Sequence, residues 1–353
     1  MVKNIYLMNL PEEIRDEEEL DELLSRPYPE TIEDLRKIDG DFMVLGAGGK
    51  IGPSLVMMLA RVFEKIDPER KIIAVSRFSR RGVVDKLRRY RNVEIIELDL
   101  SSREAVDKLP ETKNIIFMIG RKFGTEEDPG LTWVTNAYIP ALVAERFKRS
   151  RFVIYSTGNV YPLVHVSTGG STEDSEIGPV GEYAWSALAR ERVMSYFIKK
   201  NKEASGVIIR LNYACELRYG VLVDIALKVY NEEPIDLSMS YVNTIWQGDA
   251  NNYVLRSIRL ASNPPTIINL TGPEIISVKW VAEEFGKRFG KKPIFTGEIN
   301  DTALLNNASK IFSYFGYPRV PLVKMIDWIS KWILSRKPLY NLPTHFEVRT
   351  GKF

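Results

Sequence analysis

The chain has 353 residues, 44% hydrophobic and 27% charged, which is enough apolar surface for one large core or two closely joined ones. A net charge of +3, with the basic residues spread along the chain, excludes the concentrated basic face of a nucleic-acid binder. No run approaches the ~18 apolar residues of a membrane helix, and a single cysteine, Cys215, excludes an internal disulfide and suits a reducing, cytoplasmic setting.

Residues 1–38 are polar and acidic, without the apolar stretch of a signal peptide. Within them "DEEELDELL" and "TIEDLRKI" predict short helices, an extension ahead of the first strand. Short apolar runs at 42–46, 72–76, 93–98, 114–119, 152–156 and 206–211 predict strands covered on both faces. Helical periods such as "GPSLVMMLARVFEKI" and "NAYIPALVAERFKR" lie between them. This alternation predicts an α/β fold, a Rossmann-type doubly wound parallel sheet, over residues 39–215. Beyond 215 the rhythm changes to helices such as "SVKWVAEEFGKRFG" with brief strands such as "TIINLTG". A smaller C-terminal α/β part, 216–353, is expected to bind substrate and to share some strands with the sheet. The tail "KPLYNLPTHFEVRTGKF" is rich in turn signals and is expected on the surface. Gln247 is the only glutamine among many charged residues, which suits a thermophilic source or lineage bias.

"GAGGKIG" follows the first strand and opens a helix, with Gly46, Gly49 and Gly52 at three-residue spacing. A turn free of Cβ atoms lets a diphosphate approach the N–H groups of the helix N-terminus. Gly48, Lys50 and Ile51 complete that expected dinucleotide turn. Ile51 stands where a nucleotide-triphosphate loop needs Ser or Thr, so Lys50 does not make one. The second strand ends in "SRFSRR", with Ser76, Arg77, Arg80 and Arg81 and no acid, which favours the 2′-phosphate of NADP over NAD. Asp99 ends the third strand, where it could meet the adenine or cap the helix that follows.

These motifs resemble the extended short-chain dehydrogenase/reductases, the NAD(P)-dependent epimerase/dehydratase group. "GAGGKIG", "VTNAYIPALVAE", "FVIYSTGNVYP", "STEDSEIGPVGEYAWSALARER", "VIIRLNYA" and "YVNTIWQGDANNYVLRSI" follow one another in that group's order over about residues 41–335. The resemblance implies Tyr183 as general acid/base, also touching cofactor, and Thr157 beside Ser156 holding the reacting oxygen. It implies Leu100, Gly120 and Asn136 at the cofactor and Asn159 at the substrate. Ala187 stands where the group has lysine. A phenol is a poor base at neutral pH without a nearby cation. Arg190, seven residues after Tyr183, lies within about 20° of the same helix direction and could supply one, or could be an ion-pair residue near Glu191.

His165, in the loop after the fifth strand, and Asn212, Tyr213 and Arg218, after the sixth, are candidate substrate contacts because ligands bind at the carboxyl ends of such strands. The region "NEEPIDLSMSYVNTIWQGD" lacks the arginine with which many group members grip a nucleotide diphosphate, so a free sugar or sugar acid competes with a nucleotide sugar. No Cys/His cluster or carboxylate pair supports a metal. The reading is an NAD(P)-dependent enzyme on a small carbohydrate-like substrate, a homodimer by the resemblance. Its alternatives are a silent NAD(P)-binding regulator and a scaffold with an acidic arm.

Overall fold

The structure is a computed structural model and describes residues 10–80 and 82–352. Arg81 lies outside the described residues. Seven strands form the central sheet: β1 (Phe42–Leu45), β2 (Ile72–Ser76), β3 (Val93–Glu97), β4 (Asn114–Phe117), β5 (Arg151–Thr157), β6 (Ser205–Leu211) and β7 (Thr266–Leu270). They pair in parallel in the order β7-β6-β5-β4-β1-β2-β3.

Residues alternate between the two faces, as the pleat requires. Val44, Ala74, Ile116 and Val153 enter one core, while Met43, Ile73, Ile115 and Phe152 enter the other. Both faces of the inner strands are covered, which is why their runs read as continuously apolar; the edge strand β3 carries the exposed Glu94 and Glu97. A third core, around Trp246, Trp328 and Phe285, sits in the C-terminal part.

Three segments differ from or extend the sequence reading. "TIINLTG" supplies β7, which pairs with β6 from Thr266↔Val207 and so belongs to the main sheet. The acidic extension forms α1 (Glu17–Leu24) and α2 (Pro29–Arg36), but neither stands apart. Leu20, Leu23 and Leu24 enter the C-terminal core, and Tyr28 and Leu35 enter a sheet core, so the extension clamps the two. The tail is not merely superficial. Phe346 is buried in the C-terminal core, and Thr344 donates through its backbone N–H to Asp224 Oδ2 (2.7 Å). Scattered aromatics among turn residues give no periodicity by which sequence alone could place Phe346. Among the described residues, no helix is long and apolar enough to cross a membrane.

Candidate functional site

Strand order reverses between β1 and β4, and ligands of open α/β sheets bind where it does. Two cavities lie there. One, of 360 Å³, is lined by Gly46, Gly48, Gly49, Lys50, Ser76, Arg77, Arg80, Asp99, Leu100 and Gly120. The other, of 260 Å³, is lined by Ile51, Ser156, Thr157, Asn159, Tyr183, Arg190, Asn212 and Tyr213. Lys50, Met118 and Gly120 line both, so the two meet.

The glycine turn is built for close backbone approach. Gly46 has φ +95°, and a Cβ there would stand 3.0 Å from the Ile119 nitrogen. A Cβ on Gly52 would stand 2.4 Å from the Ala47 carbonyl oxygen, so Gly52 closes the turn rather than lining the cavity. Gly49 meets nothing within 4 Å beyond Gly46 O at 3.3 Å, which leaves its open side to the cavity. α3 (Gly52–Ile66) starts here with Pro53 in its first turn and directs the positive end of its dipole at the turn. This cradle fits a dinucleotide: the turn would hold the diphosphate, and Ser76, Arg77 and Asp99 the adenosine ribose. Arg77 is exposed and faces Asp99 at 3.6 Å. Arg80 donates to Gly49 O (3.3 Å) and lies over the Tyr340 ring at 4.2 Å.

Tyr183 lies in the first turn of α4 (Gly181–Lys200). Ala187, four residues on, is fully buried and carries no charge. Arg190 comes to the same cavity as Tyr183. It is no surface residue and does not pair with Glu191. Its Nη1 donates to the Tyr155 carbonyl and its Nη2 to Asn136 Oδ1, both at 2.9 Å, and burial lowers its pKa. A Cβ on Gly120 would stand 2.8 Å from that Nη2, so a side chain there would displace the guanidinium.

Asn136 sits in a π-helical turn, Val134–Tyr138, and lines neither cavity. Its Oδ1 accepts from the Arg121 N–H (2.8 Å) as well as from Arg190, and its Nδ2 donates to Arg121 O (2.8 Å) and Ser186 Oγ (2.9 Å). Its amide is thus spent on positioning the site. Ser156 also departs from the expected role. Its hydroxyl donates to Glu191, whose carboxylate is paired with Arg210 at 2.8 Å in the interior. Burial opposes the Arg210 charge, but the hydrogen bond and charge of Glu191 raise its pKa. Thr157 donates to Asn159 Oδ1 (3.0 Å) and accepts from its N–H (3.2 Å).

Asn212 donates to Asn243 Oδ1 (2.8 Å) and lines the 260 Å³ cavity with Tyr213. His165 does not. It is exposed, pairs with Thr302 in a short antiparallel bridge and bonds through Nδ1 to Ser167 Oγ (2.7 Å). Arg218 turns away too, held by Glu216 (3.1 Å), Glu17 (2.9 Å) and Asp21 (3.0 Å). Two of those acids lie about 200 positions earlier, so no local pattern announces them.

Sequence reasoning missed Lys122, Tyr219, Gln247 and Thr344, which also line the smaller cavity. Burial lowers the Lys122 pKa to about 8. Burial, then the charges of Lys122 and Arg80, lowers that of Lys50 to about 8 as well. Burial raises the Tyr213 and Tyr219 phenols. "GRKFG" directly after β4 was the available signal for Lys122, a basic residue at the switch point. No group of three or more potential metal ligands comes together among the described residues.

A family model described as "Epimerase: NAD dependent epimerase/dehydratase family" matches residues 42–215. No curated protein sequence matches the chain. Among solved structures, UDP-glucuronic acid 4-epimerase from Bacillus cereus, in complex with UDP-glucuronic acid and NAD, superposes with TM-score 0.68 at 16% identity, over 84% of this chain and 99% of that one. An epimerase from Methanothermobacter thermautotrophicus gives 0.69 at 16%, over 88% and 97%. UDP-glucose 4-epimerase from Thermus thermophilus, in complex with NAD, gives 0.67 at 18%, over 82% and 98%. At such identities the likeness is one of fold.

Proposed function

We propose, from the premise that the chain belongs through residues 42–215 to the NAD dependent epimerase/dehydratase family, that it is an oxidoreductase or epimerase of a carbohydrate-like substrate. Tyr183 acts as the acid/base, and Thr157 holds the reacting oxygen. The nicotinamide group, when bound, supplies the hydride chemistry. The chain's own task is to orient the substrate and to move a proton at the oxygen whose carbon changes oxidation state. The observation that carries this reading is the meeting of the two cavities at Lys50, Met118 and Gly120, which sets Tyr183 and Thr157 beside the glycine cradle. The dinucleotide is NADP in this reading, supported by arginines and no acid at the end of β2. NAD is the alternative.

Residues 39–215 would carry the cofactor and 216–353 most of the substrate contacts. A cytoplasmic setting agrees with one buried, unpaired cysteine. A homodimer is supported by Tyr138, Trp185 and Tyr196, large aromatics 49%, 48% and 60% exposed on the two neighbouring helical segments.

The test is a panel of sugars, sugar acids and nucleotide sugars with either dinucleotide, read by cofactor absorbance and product NMR. Turnover that falls about 100-fold or more in Tyr183→Phe supports the reading. The uncharged, buried Ala187 favours a second one, a dinucleotide-binding regulator. Tight dinucleotide binding with no turnover across the panel would select it.

A further inference from the structure

We infer that the smaller cavity is shaped for a free polyhydroxy carboxylate, a sugar acid of monosaccharide size, with the Lys50 and Lys122 ammonium groups receiving its carboxylate. This rests on the proposed function and names its substrate class.

The lining is charged in one sense only. Lys50, Lys122 and Arg190 face the cavity, and no aspartate or glutamate lines it. Lys50 Nζ lies 3.5 Å from the Tyr219 ring centroid and 4.7 Å from that of Phe123. Lys122 Nζ lies 5.4 Å from the same Phe123 ring and donates to Thr344 O at 3.1 Å. The two ammonium groups thus share one aromatic neighbour in partial burial; Asp224 and Glu347 act on them from outside the lining, so an anion entering the cavity meets cations only. Elsewhere the lining offers neutral groups, Thr157, Asn159, Asn212 and Gln247, which suit hydroxyls.

Size makes the second argument. Drug-sized ligands occupy about 300–1,000 Å³, and this cavity has 260 Å³, part of which the nicotinamide end of a cofactor would share. The chain's own tail closes the space outward. Thr344 is bound to Asp224 and Lys122, and Arg349 donates to Ser238 O (3.0 Å) and Thr302 O (2.7 Å). Gly351 crosses Gly181 at the start of α4. Thr344 thus puts the tail in the cavity wall, which leaves less room for a ligand of nucleotide-sugar size than for a monosaccharide.

The test uses the full chain saturated with dinucleotide, titrated calorimetrically with D-glucuronate, D-gluconate, D-glucose and UDP-glucose. At least one acid is expected to bind about tenfold or more tighter than D-glucose, and UDP-glucose not measurably. Lys50→Met and Lys122→Met should each cut the acid-over-glucose ratio toward unity, while Lys122→Arg retains it. Equal affinity for glucose and both acids, UDP-glucose binding as tightly as either acid, or no acid binding at all overturns the inference. If a variant fails to fold, the wild-type ratio decides alone. Tyr183-dependent turnover of UDP-glucose would leave the proposed function standing and remove this one. Failure to bind any dinucleotide would strike the proposed function itself.

Discussion

Gly181 and Gly351 cross so closely that neither can carry a side chain. A Cβ on Gly181 would stand 2.2 Å from Gly351 O, and a Cβ on Gly351 would stand 2.1 Å from Val180 O. Both have positive φ, +80° and +73°, which an L side chain rarely adopts. The contact is backbone on backbone, so no rotamer can relieve it. Tyr183 follows two residues later, so the end of the tail helps to fix the turn that presents it. Gly181→Ala is expected to destabilise the fold by about 1–3 kcal/mol from backbone strain and the clash together. Gly351→Ala should cost less global stability, because the tail can lift away. It should instead make residues after 344 sensitive to limited proteolysis and lower turnover. Denaturant unfolding and timed protease digestion separate the two outcomes.

Arg190 reaches the cavity that Tyr183 lines from three residues beyond Ala187, and it is not free to move. Its guanidinium is bound to Tyr155 O and Asn136 Oδ1, so it bears on Tyr183 as a fixed charge. Arg190→Met should lower turnover about 10- to 100-fold, with Arg190→Lys retaining more of it because a cation remains at the cavity. Equal loss in Arg190→Met and Arg190→Lys, with a reduced melting temperature, would make Arg190 a positioning residue for Asn136 alone.

The sheet was legible because its inner parallel strands are buried and leave continuous apolar runs, and the edge strand β3 still keeps Val93, Ile95 and Ile96. β7 was assigned to the C-terminal part because a five-residue strand carries no mark of which sheet it joins. The place of the glycine turn, Tyr183 and Thr157 at the two cavities was legible because each combines a residue type with a strand or helix end. Lys122, the burial of Arg190 and the closing tail were not. Each depends on partners far apart in the chain, Thr344 for Lys122 and Asn136 for Arg190. The partners of Ser156 and Arg218 were hidden for the same reason. Their polar groups are satisfied by Glu191 and by Glu17 and Asp21, which only the packed fold brings within reach.

At the adenosine end, Arg77 has two possible partners. It now faces Asp99, and both side chains are largely exposed, so their attraction is weak. A 2′-phosphate carries more charge and should draw Arg77 away. NADP is expected to bind about tenfold tighter than NAD, with the preference lost in Arg77→Ala and increased in Asp99→Asn. Fluorescence titration with the two dinucleotides reads the ratio directly, and a preference for NAD would reverse the assignment.

The Glu191–Arg210 pair beneath the site is a structural charge. Arg210 also donates to the Tyr161 hydroxyl at 2.7 Å, and Ser156 to Glu191, so the group is nearly saturated with hydrogen bonds. Removing one partner leaves the other buried and uncompensated. Glu191→Ala should therefore cost about 3–5 kcal/mol of stability by denaturant unfolding at neutral pH. The double replacement Glu191→Leu, Arg210→Met should cost markedly less, which a catalytic role for Glu191 would not predict.

Lys50 and Lys122 give the site its pH dependence, and the sign differs for stability and for binding. Lys50 faces Lys122, Arg80 and Asp224, while Lys122 faces Asp224 and Glu347. Each has a folded pKa of about 8 against 10.5 for the free side chain. From about pH 8 to 10.5 the unfolded chain holds more protons than the folded one, so the lysines' contribution to stability rises with pH across that window and is lost as pH falls through 8. Binding of a carboxylate needs the ammonium form, so it should weaken above pH 8 even as the fold gains. An entering anion raises the lysine pKa values, so sugar-acid binding near pH 8.5 should take up protons. Calorimetry in two buffers of different ionisation enthalpy measures that uptake. No uptake, or binding that strengthens above pH 8, would show that the two lysines do not receive the carboxylate.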